Sequence, residues 1–178
     1  NNTVSDNTFM GFGSGRFNTT GLQNTFVGSR SGQANTTASN NSFIGFNSGV
    51  VNTTGDQNTF YGSGTGMINT TGTGNTFIGY LSGSANTTGS SNSCVGIKSG
   101  IANTTGTNNT FIGNGAAGNN TTGSYNTVLG DAANCAATLN HQTAIGDGAI
   151  ATTANTVIIG NNYNTGIGLS GVAGGPLR

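Results

Sequence analysis

The motif Asn-Thr/Ser-Phe-apolar-Gly returns at one fixed spacing through most of the chain, and that period decides what the chain can fold into. It begins at Asn7, Asn24, Asn41, Asn58, Asn75, Asn92, Asn109 and Asn126, with Cys94 and Val128 standing in for Phe in two copies. Each step is 17 residues, with no insertion or deletion. The next copies, Gln142-Thr143-Ala144-Ile145-Gly146 and Asn155-Thr156-Val157-Ile158, arrive after 16 and then 13 residues. The chain therefore divides into regular repeats over residues 1–141 and shortened C-terminal coils with an extended tail over residues 142–178.

A second motif, Asn-Thr-Thr-Gly, holds the other half of each repeat at Asn18, Asn52, Asn69, Asn86, Asn103 and Asn120, with Asn35-Thr36-Thr37-Ala38 as a variant. Thr, Phe, Ile and Val favour an extended segment, while Gly and Asn tolerate the positive φ of sharp corners. Seventeen residues are too few for a pair of helices. The Leu framework of leucine-rich repeats is missing, as is the Asp in every turn of calcium-binding nonapeptide rolls. One repeat reads as one coil of a β-helix or β-roll, and the fold class as all-β, a β-solenoid of about ten coils. At the spacing of neighbouring strands such a rod is roughly 45 to 50 Å long, and each sequence column becomes a physical ladder.

The ladders explain the composition. Only 4% of the residues are charged and 32% are hydrophobic, with Gly, Asn, Thr and Ser taking the rest. Like charges repeated in every coil would repel, whereas stacked amides and hydroxyls bond along the rod. Arg16, Arg30, Lys98 and Arg178 are the only strong bases, so nucleic acid is not an expected partner. No run of about eighteen apolar residues suggests membrane insertion. Residues 1–6 align with the second half of a coil, and the first residue is not Met, so the reading is of an excised piece with more of a fibre before it.

Two adjacent apolar columns run along the strands: Phe9, Phe26, Phe43, Phe60, Phe77, Cys94, Phe111, Val128, Ala144, and Met10, Val27, Ile44, Tyr61, Ile78, Val95, Ile112, Leu129, Ile145. Strand neighbours point to opposite faces. With the Met10 to Ile145 column and the Thr8 to Thr143 column inside the coil, the Phe column faces out; in the reversed register the other apolar ladder does. A stripe of this length needs cover. Closed cyclic symmetry would bring one stripe per chain to a common axis, making Phe9, Phe26, Phe43, Phe60, Phe77, Phe111 and Val128 an expected homotrimer interface. The alternative is a monomer whose distorted corner hides both columns.

The units Asn75-Thr76-Phe77-Ile78-Gly79 and Asn155-Thr156-Val157-Ile158-Ile159-Gly160 resemble repeats of YadA-like trimeric autotransporter adhesin heads. The longer unit Asn103-Thr104-Thr105-Gly106-Thr107-Asn108-Asn109-Thr110-Phe111-Ile112-Gly113 is similar to repeats of bacterial surface fibres and phage-type tail fibres. The resemblance spans about residues 1 to 160. It implies a left-handed coil, a homotrimer and an extracellular setting on a cell surface or particle. The 17-residue period departs from the shorter coil of the adhesin heads. The ending Asn164-Thr165-Gly166-Ile167-Gly168 resembles the segment before a trimerisation chaperone in tail-fibre-like proteins.

Chemistry is sparse: one His, two Cys, four Asp and no Glu. His141 lacks a nucleophile partner and reads as structural, Cys94 as a small hydrophobe within the apolar ladder. Cys135 lies in another column, on the order of 10 Å away, so no disulfide is expected. Asp131 and Asp147 follow equivalent glycines and fall about 5 Å apart on successive coils, a candidate site for calcium or another hard cation. The Asn-Thr-Thr units match the N-glycosylation sequon, but glycans at every coil would collide, so the Asn column reads as structural.

The expected function is non-enzymatic: a stiff segment of an extracellular trimeric fibre that presents a surface to a cell-surface glycan or protein receptor. Residues that break the repeat carry the specificity in this reading, including Phe12, Arg30, Phe46, Tyr80, Lys98 and Tyr163. Two alternatives are an ice-binding solenoid and a glycan-binding or glycan-degrading tailspike. The first wants Thr-x-Thr on one strand face, whereas Thr19 and Thr20 are adjacent. The second has only Asp131 with Asp147 as paired carboxylates.

Overall fold

The computed structural model describes residues 6–160, an all-β solenoid with no helix among them. Ten strands of three residues lie at Thr8–Met10, Thr25–Val27, Ser42–Ile44, Thr59–Tyr61, Thr76–Ile78, Ser93–Val95, Thr110–Ile112, Thr127–Leu129, Thr143–Ile145 and Val157–Ile159. They stack in sequence order as one parallel ten-stranded sheet of about nine turns. Each residue pairs with its equivalent in the next coil, as Phe26 does with Phe43 and Phe60 with Phe77. The sheet crosses residues 141 and 142 without a break, Thr143 pairing with Thr127. The last step is one residue longer than the motif spacing suggests, because Thr143 pairs with Val157. In these shorter coils a second parallel pair forms between Asn134–Cys135 and Ile150–Ala151.

After each strand the chain turns sharply, as shown by Ser14 N–H donating to Gly11 O at 3.2 Å and Asn18 N–H to Gly15 O at 3.0 Å. The first corner requires Gly at Gly11 and its equivalents. At Gly62, for example, φ is +139°, and a Cβ would lie 2.6 Å from the carbonyl oxygen of Gly79 in the next coil. Between coils, backbone bonds continue beyond the strands, from Gly15 N–H to Ser31 O at 3.0 Å and from Thr19 N–H to Thr36 O at 2.8 Å. Every side of the coil is thereby tied to its neighbour.

The Phe column is inside, which overturns its expected place at a subunit interface. Phe26, Phe43, Phe60, Phe77, Phe111 and Val128 are fully buried, and Phe9 is partly buried against them. They therefore cannot face another chain. The rings from Phe9 to Phe77 stack nearly parallel, with centroids 4.6 to 5.0 Å apart. Room for them comes from the glycine six residues later: a Cβ at Gly32 would lie 2.5 Å from the Phe26 ring. So narrow a coil holds one large side chain per turn, and the Met10 to Ile145 column is left outside. Each buried Phe contributes about 1.5–3 kcal/mol of hydrophobic stabilisation.

Two asparagine ladders fill the rest of the interior. In one, Asn58 N–H donates to Asn41 Oδ1 at 2.8 Å, while Asn58 Nδ2 donates to Gly72 O at 2.8 Å in the coil beyond. In the other, Asn69 Nδ2 donates both to Asn52 Oδ1 at 2.7 Å and to its own coil's Gly72 O at 3.1 Å. These amides resolve the problem of burying polar groups, which is costly only when they go unpaired. Asn41 keeps its place in the first ladder through its backbone N–H and its Oδ1, but its Nδ2 is buried without a hydrogen-bond partner. The sequon asparagines Asn35, Asn52, Asn69, Asn86, Asn103 and Asn120 all belong to the second ladder and are buried.

Candidate interaction surfaces

The outer face of the sheet is a regular surface of ten strands. Because Phe points in, its neighbours point out: a hydroxyl column from Thr8 through Thr25, Ser42, Thr59, Thr76, Ser93, Thr110 and Thr127 to Thr143, and beside it the apolar column from Met10 to Ile145. Exposure in the apolar column runs from 38% at Ile78 to 61% at Met10 among its open members, with Tyr61 at 56%. Val27, Ile44, Val95 and Ile145 are half-buried by their neighbours. One apolar ladder does lie outside, as the alternation requires, but it is the aliphatic one. The signal that decides between the registers is the glycine column of Gly15, Gly32, Gly49, Gly66, Gly83 and Gly100, which leaves space for a ring only on the inside.

Beside this face, just past the first corner, runs a ridge of repeat-breaking residues. Phe12 is 78% exposed, Phe46 54% and Tyr80 52%. Lys98 is exposed one position further along its coil, in the left-handed region at φ 54°. Tyr163, the fourth expected member of the ligand surface, lies outside the described residues. Backbone bonds hold the ridge in register: Arg30 N–H to Phe12 O at 2.8 Å, Gly64 N–H to Phe46 O at 2.9 Å and Lys98 N–H to Tyr80 O at 2.9 Å.

The titratable groups are scattered. Asp131 and Asp147 occupy successive coils of this same corner column, both exposed, and Asn114 Nδ2 donates to Asp131 Oδ1 at 2.8 Å. Among the described residues no group of three or more His, Cys, Asp or Glu side chains is placed to hold a metal ion. His141 sits at the opposite corner with φ 54°, its ring stacked on Tyr125 at 5.0 Å. Cys94 and Cys135 are both buried thiols. Burial alone raises both, Cys94 far above the usual thiol range and Cys135 to about 12. Cys135 terminates the second amide ladder, with its Sγ 3.7 Å from Asn120 Oδ1.

No family model matches this chain, and no curated protein or solved structure does.

Proposed function

We propose that this chain is a passive, elongated segment of an extracellular homotrimeric fibre, built to project a surface for attachment to a cell or a receptor. The observation that carries the reading is the unpartnered apolar ladder from Met10 to Ile145, which runs along the outer face of the ten-stranded sheet. The interior is closed within one chain, so this stripe is the feature that a partner would cover. Three copies around a common axis would bury three equivalent stripes with closed symmetry. The similarity to trimeric adhesin and tail-fibre repeats supports the same arrangement, the left-handed coil and the extracellular setting. No catalytic role is assigned: Asp131 and Asp147 stand exposed on successive coils, and His141 stacks on Tyr125.

Light scattering coupled to gel filtration tests this reading. The expected particle mass is three times the 17.6 kDa of one chain, falling to one chain in an Ile44→Asp/Ile78→Asp variant that charges the ladder. A wild-type monomer would overturn it. That outcome would favour the second reading, because the Thr8 to Thr143 hydroxyl column would then lie open to water at one residue per coil. Thermal hysteresis would test it as an ice-binding surface.

A further inference from the structure

The fold does not explain the aromatic ridge. Phe12, Ser29, Phe46, Ser63 and Tyr80 are equivalent positions on five successive coils, and the column continues through Ile97, Asn114, Asp131 and Asp147. The corner is the same whether it carries Ser or an aromatic ring: Asn47 N–H donates to Ser29 O at 3.0 Å just as Arg30 N–H donates to Phe12 O at 2.8 Å. Large rings that the backbone does not need, held more than half exposed, call for a ligand.

Their order specifies its shape. The aromatics fall on alternate coils, so successive rings are two strand spacings apart, about 9.5 Å. The serines between them are half-buried and leave troughs. In an extended β-1,4-linked hexopyranose chain each sugar is flipped relative to the last, so every second ring presents the same apolar C–H face. The two-sugar repeat of such a chain matches two coils of the solenoid. An aromatic face stacks well on an apolar ring face, and the column from Phe12 to Tyr80 carries no charge of its own, which suits a neutral polymer.

We propose that the corner ridge of Phe12, Phe46 and Tyr80 binds a neutral β-1,4-linked hexose polymer laid along the rod axis, each aromatic stacking on every second sugar. This deepens the attachment function proposed above and rests on it for the biological setting. The stacking itself needs only one chain.

The test is retention on crystalline cellulose and on chitin, with an α-1,4-linked glucan as the control polymer. It compares the wild-type chain with the triple variant Phe12→Ser/Phe46→Ser/Tyr80→Ser, whose new residues copy Ser29 and Ser63. The expected result is retention on one or both β-1,4 polymers, at least tenfold weaker in the variant, with the same melting temperature and particle mass. The acetylated and the plain polymer distinguish the two sources of this chain chemistry. Retention on neither, equal retention on the α-linked control, or retention undiminished in the variant would overturn the proposal. Particle mass, measured on the same samples, fails or holds separately and reports only on the fibre reading.

Discussion

The ring of Phe60 lies against Gly66 so closely that a Cβ on that glycine would be 2.5 Å from it. Gly66 also sits at φ +54°, where an L side chain is strained. Gly66→Ala is therefore expected to cost about 1–3 kcal/mol through overpacking, with a further penalty of up to about 1–2 kcal/mol from the backbone. Phe60→Ala, which opens a cavity in the ring stack, is expected to cost about 3–5 kcal/mol. Tyr61→Ala, one residue on but facing outward, should stay within about 0.5 kcal/mol for an isolated chain. Urea titration of the three variants checks the order.

That pair also shows where the sequence is legible and where it is not. The period, the strand at each Asn-Thr-Phe unit and the two Asn ladders follow from spacing, because in a solenoid equal sequence positions must stack. Which apolar column enters the coil does not follow from alternation, since Phe26 and Val27 are both apolar and exchanging the faces preserves the pattern. The answer lies in a longer-range relation, Phe with Gly six residues later, visible at Phe26 and Gly32 as at Phe60 and Gly66. The register of the last coil is hidden because its shortening lies within the connection, so that Asn155-Thr156 resembles a motif start while Val157 takes the place of Thr143. The aromatic ridge is visible as repeat-breaking residues at Phe12, Phe46 and Tyr80. Its exposure depends on the corner geometry.

The buried amides should be sensitive to substitutions that preserve shape but alter donors. Asn75 Oδ1 accepts from Asn92 N–H at 3.0 Å, and its Nδ2 donates to Gly89 O at 2.9 Å. Asn75→Ala leaves the Asn92 N–H unpaired, at about 1–3 kcal/mol, while Gly89 O keeps the bond it accepts from Asn86 Nδ2 at 2.9 Å. Asn75→Asp keeps the acceptor and retains a donor only when protonated, so burial should hold its carboxyl above the usual value of about 3.9. Such a variant is stable below that value and loses stability as the pH rises through the raised folded value. Melting temperatures at pH 3.5 and pH 7, compared with the wild type, should diverge only at the higher pH.

The thiols give the wild-type chain an alkaline limit of its own. Burial raises Cys94 and Cys135, the latter to about 12, against about 8.5 for an unfolded thiol. The folded state holds these protons more tightly, so the stabilisation is fully present below the unfolded value and is lost as the pH rises from there towards the folded values. The slope approaches about 1.4 kcal/mol per pH unit for each thiol. Denaturant melts between pH 8 and pH 11 should flatten in a Cys94→Ala/Cys135→Ala variant. Native protein at pH 8 should resist alkylation that proceeds readily once it is unfolded.

Cys94 interrupts the ring stack, and restoring Phe there should fail without a second change. A Cβ on Gly100 would lie 2.7 Å from Cys94 Sγ and 3.0 Å from Cδ2 of the next ring, Phe111, whereas in the preceding coils the same-coil ring supplies the nearest atoms. Ala117, fully buried six residues after Phe111 and at φ 53°, stands where the earlier coils carry Gly. A Phe111 ring shifted towards the small Cys94 side chain would give that methyl group room. Cys94→Phe would push Phe111 back against Ala117, so alone it is expected to be neutral or destabilising despite adding apolar volume. Combined with Ala117→Gly it should complete the stack, with a coupling between the two changes of about 1–3 kcal/mol in a double-mutant cycle. Additive effects would show instead that the two positions are independent.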